Sequence, residues 1–374
     1  MKMPAEHIRE EILKKGAISF ARFMELALYC PETGYYEKKR DNVGRDGDFI
    51  TSVSVGSLFG ELLAFQFAAW LSELKTGPER LKIIEAGAHD GKLAADILNW
   101  LKNRRPDLLA ELEYYFVEPS PHRRQWQREK LQDFKNIHWA GGLEELSGST
   151  GILFSNELLD ALPVHRLGWS ATGKKWFEWG VALEGENLIW SQMALREETD
   201  ITGHAQGISL PPSIRSLPPA LLEVLPDNYT IEISTAAENW WRVAAKTLAH
   251  GKLLAIDYGF TAADVFSPSR PRGTLRAYSR HHVSDDLLAN PGEQDLTAHV
   301  NFTAIQEAGE SQGLHTETFC TQPQFLTRIL AEATKMNSLA NSPGDWNAKQ
   351  IRQFQTLTHP EHLGRAFRVL VQGR

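Results

Sequence analysis

The sequence predicts an α/β protein: a doubly wound, seven-stranded Rossmann-like sheet with an N-terminal helical segment and a β insertion. Three observations predict it. The apolar run Leu81-Lys82-Ile83-Ile84 enters the turn Glu85-Ala86-Gly87-Ala88-His89-Asp90-Gly91 and leaves through helical patterning from Lys92. Strand and helix patterns alternate up to residue 155 and again after residue 228, the signature of a parallel sheet. Between them, residues 164–192 read as antiparallel strands carrying Trp169, Trp176, Trp179 and Trp190, with turns at Thr172-Gly173 and Gly185-Glu186-Asn187.

Taken in order, residues 5–30 place Ile8, Ile12, Leu13, Phe20, Phe23, Met24, Ala27 and Leu28 at helical spacings. Pro31-Glu32-Thr33-Gly34 is a turn, and residues 35–57 read as irregular. A long helix is expected from Leu58 to Leu74, then a strand over 81–86. Helices follow at 92–104 and 120–132, and strands at 112–117, 136–139 and 151–155. After the insertion, the segment from Pro211 to Pro219 reads as a linker. An extended run at 228–233, a helix at 235–249, Gly251 as its C-cap and a strand at 252–257 resume the alternation. A loop without regular structure is expected over 259–301, then a helix at 303–312 and strands at 314–319 and 365–372. This divides the chain into 1–57, a helical and loop segment covering the site, and 58–374, the main domain, interrupted by the insertion 164–220.

Bulk properties narrow the function. A formal charge of −7 gives nucleic-acid binding no support. Cys30 and Cys320 have no metal-type spacing and imply a reducing compartment. Neither a secretory h-region nor a membrane-length apolar run is present. The expectation is a cytoplasmic protein with no nucleic-acid partner and no membrane span.

Four constellations carry chemistry. In the turn after the first strand, Gly87 and Gly91 allow close backbone approach, and the helix behind them offers free N–H groups. Glu85 would repel a phosphate and welcome a cation, which suits S-adenosylmethionine with its α-ammonium, sulfonium and carboxylate. An ordinary strand-to-helix turn is the alternative. Glu118 ends the second strand, where an acid can take both ribose hydroxyls. It lies 33 residues after Glu85, beyond the usual roughly 20, and a solvated surface Glu is its alternative. Asn156-Glu157-Leu158-Leu159-Asp160-Ala161-Leu162-Pro163 follows the fourth strand, where a methyl acceptor would meet the donor. One helical turn would put Glu157 and Asp160 on one face, a pair suited to a guanidinium; helix capping is the plainer role for Asp160. The long loop holds His281-His282 and the run Pro291 to Phe302, with a His and Asp spacing that matches no common metal site.

These segments together resemble the MidA family of S-adenosylmethionine-dependent methyltransferases, whose mitochondrial members assist assembly of respiratory complex I. The resemblance runs through Gly34-Tyr35-Tyr36, Gly47-Asp48-Phe49-Ile50-Thr51, Phe59-Gly60-Glu61, Val117-Glu118-Pro119-Ser120 with Gln125, and Asn156-Glu157 with Asp160 to Pro163. It continues through Asp257-Tyr258-Gly259, Gly273 to Tyr278, Asp295 to Phe302 and Thr321-Gln322 with Phe325-Leu326. It implies a class I methyltransferase fold, S-adenosylmethionine as cofactor and, by analogy with the mitochondrial members, an arginine as acceptor. Cofactor contacts are then expected from Asp48, Thr51, Glu85, Gly87, His89, Gly91 and Glu118, substrate contacts from Asn156 and His282, and catalysis from Glu157 and Asp160. The expected partner is an arginine-bearing protein, with a respiratory-complex subunit and a homodimeric second copy as further candidates; no metal is expected. The family usually reads Glu-Leu-Gly-Pro-Gly-x-Gly at the first turn, where this chain has Ala86, Ala88 and His89. Ser52-Val53-Ser54 stands where Ala-Pro-Glu is commoner. His89 therefore opens the alternative of a binding or assembly module that keeps the fold and has lost catalysis. A small-molecule methyltransferase is disfavoured by the chain length and the insertion.

Overall fold

The computed structural model describes residues 2–38, 51–75, 80–196, 207–267, 270–279, 282–335 and 346–374. The chain forms two compact units, both discontinuous in sequence. One comprises Arg40–Asp160, Glu238–Gly259 and Phe302–Arg374; the other comprises Met1–Lys39, Ala161–Ala237 and Phe260–Asn301.

The first unit holds the expected mostly parallel sheet, in which seven strands form one continuous path and the two-residue strand Val300–Asn301 is paired off it as an eighth. The seven are β1 (Leu81–Ala86), β2 (Leu112–Val117), β3 (Ile137–Ala140), β4 (Ser149–Asn156), β5 (Leu248–Phe260), β6 (His315–Thr321) and β7 (Phe367–Gly373). Their order across the sheet is β6-β7-β5-β4-β1-β2-β3. The pairs β1–β2, β2–β3, β1–β4 and β4–β5 are parallel, while β7 runs antiparallel to both its neighbours. Its helices include α1 (Leu58–Leu74), α2 (Lys92–Arg104), α3 (Pro121–Lys130), α4 (Phe302–Glu310), α5 (Gln322–Lys335) and α6 (Ala348–Thr358).

Sequence explains these elements locally. The inner strands read as near-continuous apolar runs because both their faces are covered. Ile83, Ile152, Phe154, Leu254 and Ile256 are all fully buried. Helix α1 is apolar on nearly every side and lies in the core, with Phe59, Leu62, Leu63 and Phe67 fully buried. It packs in one cluster with Ile97 and Leu101 of α2, Phe116 of β2 and Phe367 of β7. Helix α3 starts at Pro121 behind the cap Ser120, and α6 starts behind Asn347, whose side chain accepts from two backbone N–H groups. The chain moves from β1 outward to β2 and β3, and from β4 to β5 on the other side. The carboxyl ends of β1 and β4 therefore flank the point where strand order reverses, the place where such sheets open a crevice.

The second unit is antiparallel. Strand 175–184 pairs with 165–170, 187–193 and 17–19, and strand 165–170 also pairs with 229–233. The expected extended run at 228–233 thus belongs to this sheet and not to the parallel one. Trp169 and Trp176 are packed inside, with ring centroids 5.3 Å apart. Two further expectations are corrected. The loop over 259–301 carries a three-stranded sheet of 276–279, 282–284 and 295–297; its short strands fall below the length at which alternation shows. Gly251 is not a helix cap. The helix Thr235–Thr247 ends earlier, and Gly251 lies within β5 opposite Gly151 of β4.

Gly151 has φ 143°, and a Cβ there would stand 2.0 Å from the Lys82 carbonyl oxygen of β1. Three strands approach at this level with no room for a side chain. Gly151→Ala is expected to destabilise the fold by about 3 kcal/mol, read as a lowered midpoint in denaturant at unchanged slope; a midpoint equal to wild type would refute the close-approach reading.

Candidate active site at the ends of β1, β2 and β4

The turn after β1 is built on backbone conformations that side chains rarely adopt. Gly87, His89 and Gly91 have φ of 77°, 47° and 83°. A Cβ at Gly87 would stand 3.1 Å from Leu158 Cδ1, so the turns after β1 and β4 touch there. The Gly91 N–H donates to the Ala88 carbonyl at 2.8 Å, and Asp90 Oδ1 accepts from the Lys92 N–H at the start of α2. Asp90 also pairs with Lys130 of α3 at 2.6 Å. His89 occupies the left-handed region that a Gly would enter without strain. Its ring leans on Trp126 of α3, with centroids 6.0 Å apart.

Glu85 is buried, and its Oε2 accepts from the Tyr114 hydroxyl at 2.6 Å. Burial pushes its carboxyl up to about 8, the nearby Asp90 charge adds to this, and the Tyr114 hydrogen bond opposes it. Glu118, also buried, accepts from the Ser120 N–H at 2.9 Å and has Arg123 Nη1 3.8 Å from Oε2. Gln127 of α3 is fully buried between these groups. Its Nε2 lies 3.0 Å from the His89 carbonyl oxygen and 3.4 Å from Glu118 Oε2.

The segment after β4 is a tight turn, not the expected turn of helix. Glu157 has φ 52°, which no α-helix accommodates. Its N–H donates to the Ile256 carbonyl of β5, and its Oε1 accepts from the Ser52 N–H and from Asn156 Nδ2, both at 3.1 Å. Asp257, fully buried in β5 one residue past the last position paired with β4, shapes this turn. Its Oδ2 accepts from the Leu158 and Leu159 N–H groups at 3.1 and 2.8 Å, and Oδ1 accepts from the Tyr258 N–H at 2.8 Å. Burial pushes its carboxyl up to about 7 despite these donors. Asp160 is buried in the same turn. Asn156 Oδ1 and Ser155 Oγ are buried with no hydrogen-bond partner among the described residues.

The structure thus brings Glu85, Gly87, His89, Gly91, Glu118, Asn156, Glu157 and Asp160 to the carboxyl ends of the parallel strands. Thr51 joins them one residue from Ser52; its hydroxyl accepts from the Ser54 N–H and caps the short helix Ser52–Val55. Asp48 lies outside the described residues. His282 belongs to the antiparallel unit, exposed on strand 282–284. Sequence reasoning gave no role to Ser52, Gln127 or Asp257. For Gln127 a signal existed: α3 is PHRRQWQREK, and a helix with so thin an apolar face must bury something polar.

The donor set suits S-adenosylmethionine. Carboxyls at the ends of β1 and β2 match its ammonium and ribose hydroxyls, and the orphaned Asn156 Oδ1 awaits a donor. Known proteins agree. The Methyltransf_28 family model, that of an S-adenosyl-L-methionine-dependent methyltransferase, matches residues 62–320. The Drosophila melanogaster protein arginine methyltransferase NDUFAF7 homolog, mitochondrial, is 28% identical over 98% of this chain and 84% of its own. Its Danio rerio counterpart is 27% identical over 97% and 85%. A crystal structure from Burkholderia thailandensis, bound to S-adenosyl-homocysteine, superposes with a TM-score of 0.81 at 30% identity, covering 99% of this chain and 92% of that one. The curated relatives are named as mitochondrial, against the cytoplasmic location expected from composition, and that expectation is withdrawn. With a family model over more than half its length and a sheet built to match, the chain belongs to the MidA family of S-adenosylmethionine-dependent methyltransferases.

Proposed function

We propose that this methyltransferase acts on an arginine side chain of a protein, with Glu157 as the group that receives the guanidinium. One observation carries the reading: the Glu157 carboxylate, at the end of β4 beside the turn after β1, is pinned through Oε1 by two donors among the described residues. The names of the curated relatives, protein arginine methyltransferases, support the same acceptor. When bound, the cofactor supplies an electrophilic methyl group on a sulfonium. Glu85, the Gly87–Gly91 backbone and Glu118 are the groups proposed to hold it.

The demands of the acceptor explain the rest. A guanidinium stays protonated, with a pKa above about 12. One of its nitrogens becomes nucleophilic only when the positive charge is held on the others. A fixed carboxylate does this by accepting N–H bonds from the two nitrogens that do not react, and it aims the third. Glu157 is fixed for this task by its own backbone as well as by its donors, since its N–H is tied to β5. The buried Asp160 is proposed to complete the acid environment of that turn. In view of the family resemblance, a respiratory-complex subunit is the first acceptor to test.

Glu157→Gln is expected to abolish methyl transfer to an arginine-containing peptide library while leaving S-adenosylmethionine affinity within about twofold. Loss of cofactor binding in this variant would move Glu157 to the donor side, and undiminished transfer would remove it from the reaction. A second expectation concerns pH. The Glu85 carboxyl is neutral below about pH 8, and a bound ammonium favours its ionised form, so binding releases a proton. Affinity should therefore fall as pH falls below about 8, by up to roughly tenfold per unit. Calorimetry in buffers of different ionisation enthalpy reads this directly. A dissociation constant independent of pH, with no proton release, would exclude Glu85 as the cation's partner.

A further inference from the structure

We infer that Gln127 is the positioning residue that sets the cofactor turn and the ribose acid in register with each other. The inference rests on the proposed role of Glu118. Gln127 sits on α3, fully buried, and its amide is committed on both sides. Oε1 accepts from the Trp139 indole N–H at 2.8 Å. Nε2 faces the His89 carbonyl oxygen at 3.0 Å and Glu118 Oε2 at 3.4 Å. The chemistry of the partners fixes which way the amide points. An indole N–H can only donate, while a carbonyl and a carboxylate can only accept, so oxygen must face Trp139 and nitrogen the other two.

This matters because of His89. A non-glycine residue at φ 47° carries strain of order 1 kcal/mol. The turn keeps that conformation only if its surroundings hold it. Helix α3 does so twice from adjacent residues: Trp126 lies against the His89 ring, and Gln127 ties the His89 carbonyl. The same amide reaches Glu118, so the backbone around His89 and the acid at the end of β2 cannot shift independently. Trp139, stacked on Phe116 at 5.8 Å, anchors the amide to the sheet. Gln127 therefore acts through His89 and Glu118 and need not touch the cofactor.

The test uses the whole chain and S-adenosylhomocysteine as probe, by calorimetry. Gln127→Met is expected to weaken binding about tenfold, and to shrink the preference for S-adenosylhomocysteine over its 2′-deoxy analogue, because Glu118 loses the donor that ties it to the turn at His89. A merely structural role would not change that preference. Trp139→Phe, which frees the Gln127 oxygen and leaves α3 intact, should weaken binding two- to fivefold and serves if Gln127→Met does not fold. Adding His89→Gly to Gln127→Met should restore part of the affinity, since Gly needs no support at this φ. Binding within twofold of wild type in both Gln127→Met and Trp139→Phe, or an unchanged 2′-deoxy preference, overturns the inference. Glu118→Gln separates the two readings. If it binds as wild type, the ribose role of Glu118 fails; if it is weakened tenfold and Gln127→Met is not, only the role of Gln127 fails.

Discussion

The site hangs on one buried carboxyl that is not itself placed at the reaction: Asp257. Parallel strands β4 and β5 run in register, with Ile256 opposite Asn156, so the residue after Ile256 lies level with the turn that leaves β4. A backbone leaving a strand end has unpaired N–H groups, and burying them without partners is costly. Asp257 receives two of them from Leu158 and Leu159. That contact bends the chain sharply, forces Glu157 to φ 52° and turns its carboxylate toward Ser52 and Asn156. The same bend brings Leu158 onto Gly87. Without an acceptor at position 257, a helical turn would be the natural continuation, and Glu157 and the turn after β1 would lose their common geometry.

A second chain of contacts reaches Glu157 through Ser52. The Ser52 N–H touches Glu157, and the Ser52 hydroxyl donates to Gln322 Oε1 at 3.1 Å. Gln322 Nε2 in turn donates to the Leu357 carbonyl at 2.9 Å, and Gln353 Oε1 accepts from the Leu58 N–H. Ser52 and Gln322 are fully buried and Gln353 nearly so, so these bonds act in a low-dielectric interior where a lost partner is expensive. The segment that carries Thr51 and Ser52 is thereby tied to α5 and α6. A Ser in place of the family's commoner Ala at position 52 has a physical use: its hydroxyl is the link to Gln322.

How much of this was legible in the sequence follows from the range of each interaction. Strand β1 and helix α2 were readable to the residue because apolar periodicity and the Gly-bearing turn are local signals. The three-residue strands at 282–284 and 295–297 were not, because too few residues alternate to register. Gly251 reads as a helix cap because a glycine after a helical pattern and a glycine under a crossing backbone look alike in sequence; only the facing Gly151 distinguishes them. Glu85, Glu118 and Glu157 could be picked out because an acid at a strand end is unusual by itself. Asp257 could not be assigned a role, since the N–H groups it receives lie up to 99 residues away; for Gln127 the pattern of α3 signals burial, but not the His89 carbonyl 38 residues away. The left-handed turn at Glu157 carries no glycine or asparagine to announce it. It is imposed by Asp257, and so the helical expectation for 157–160 failed for a tertiary reason.

The buried acids argue finally for function over stability. Glu85 and Glu118 stand at the ends of β1 and β2 and Asp257 lies just past the paired part of β5, each at most 3% exposed. Desolvating a carboxylate costs several kcal/mol, and an apolar replacement of similar volume is often neutral or stabilising. The fold could have closed over Leu or Met at Glu85, with Phe in place of Tyr114, whereas Glu118 and Asp257 also serve the fold by accepting backbone N–H groups. It holds Glu85 against Tyr114 at a pKa of about 8 and Asp257 at about 7, values poised where a cationic ligand or a strained turn can use the charge. His89 adds to the same cost on the backbone side. A chain kept only as a scaffold would gain by relaxing both, whereas this one spends further contacts, from the half-buried Trp126 and the buried Gln127 and Tyr114, on keeping them in place. That pattern favours a working cofactor site over a docking module that has lost it.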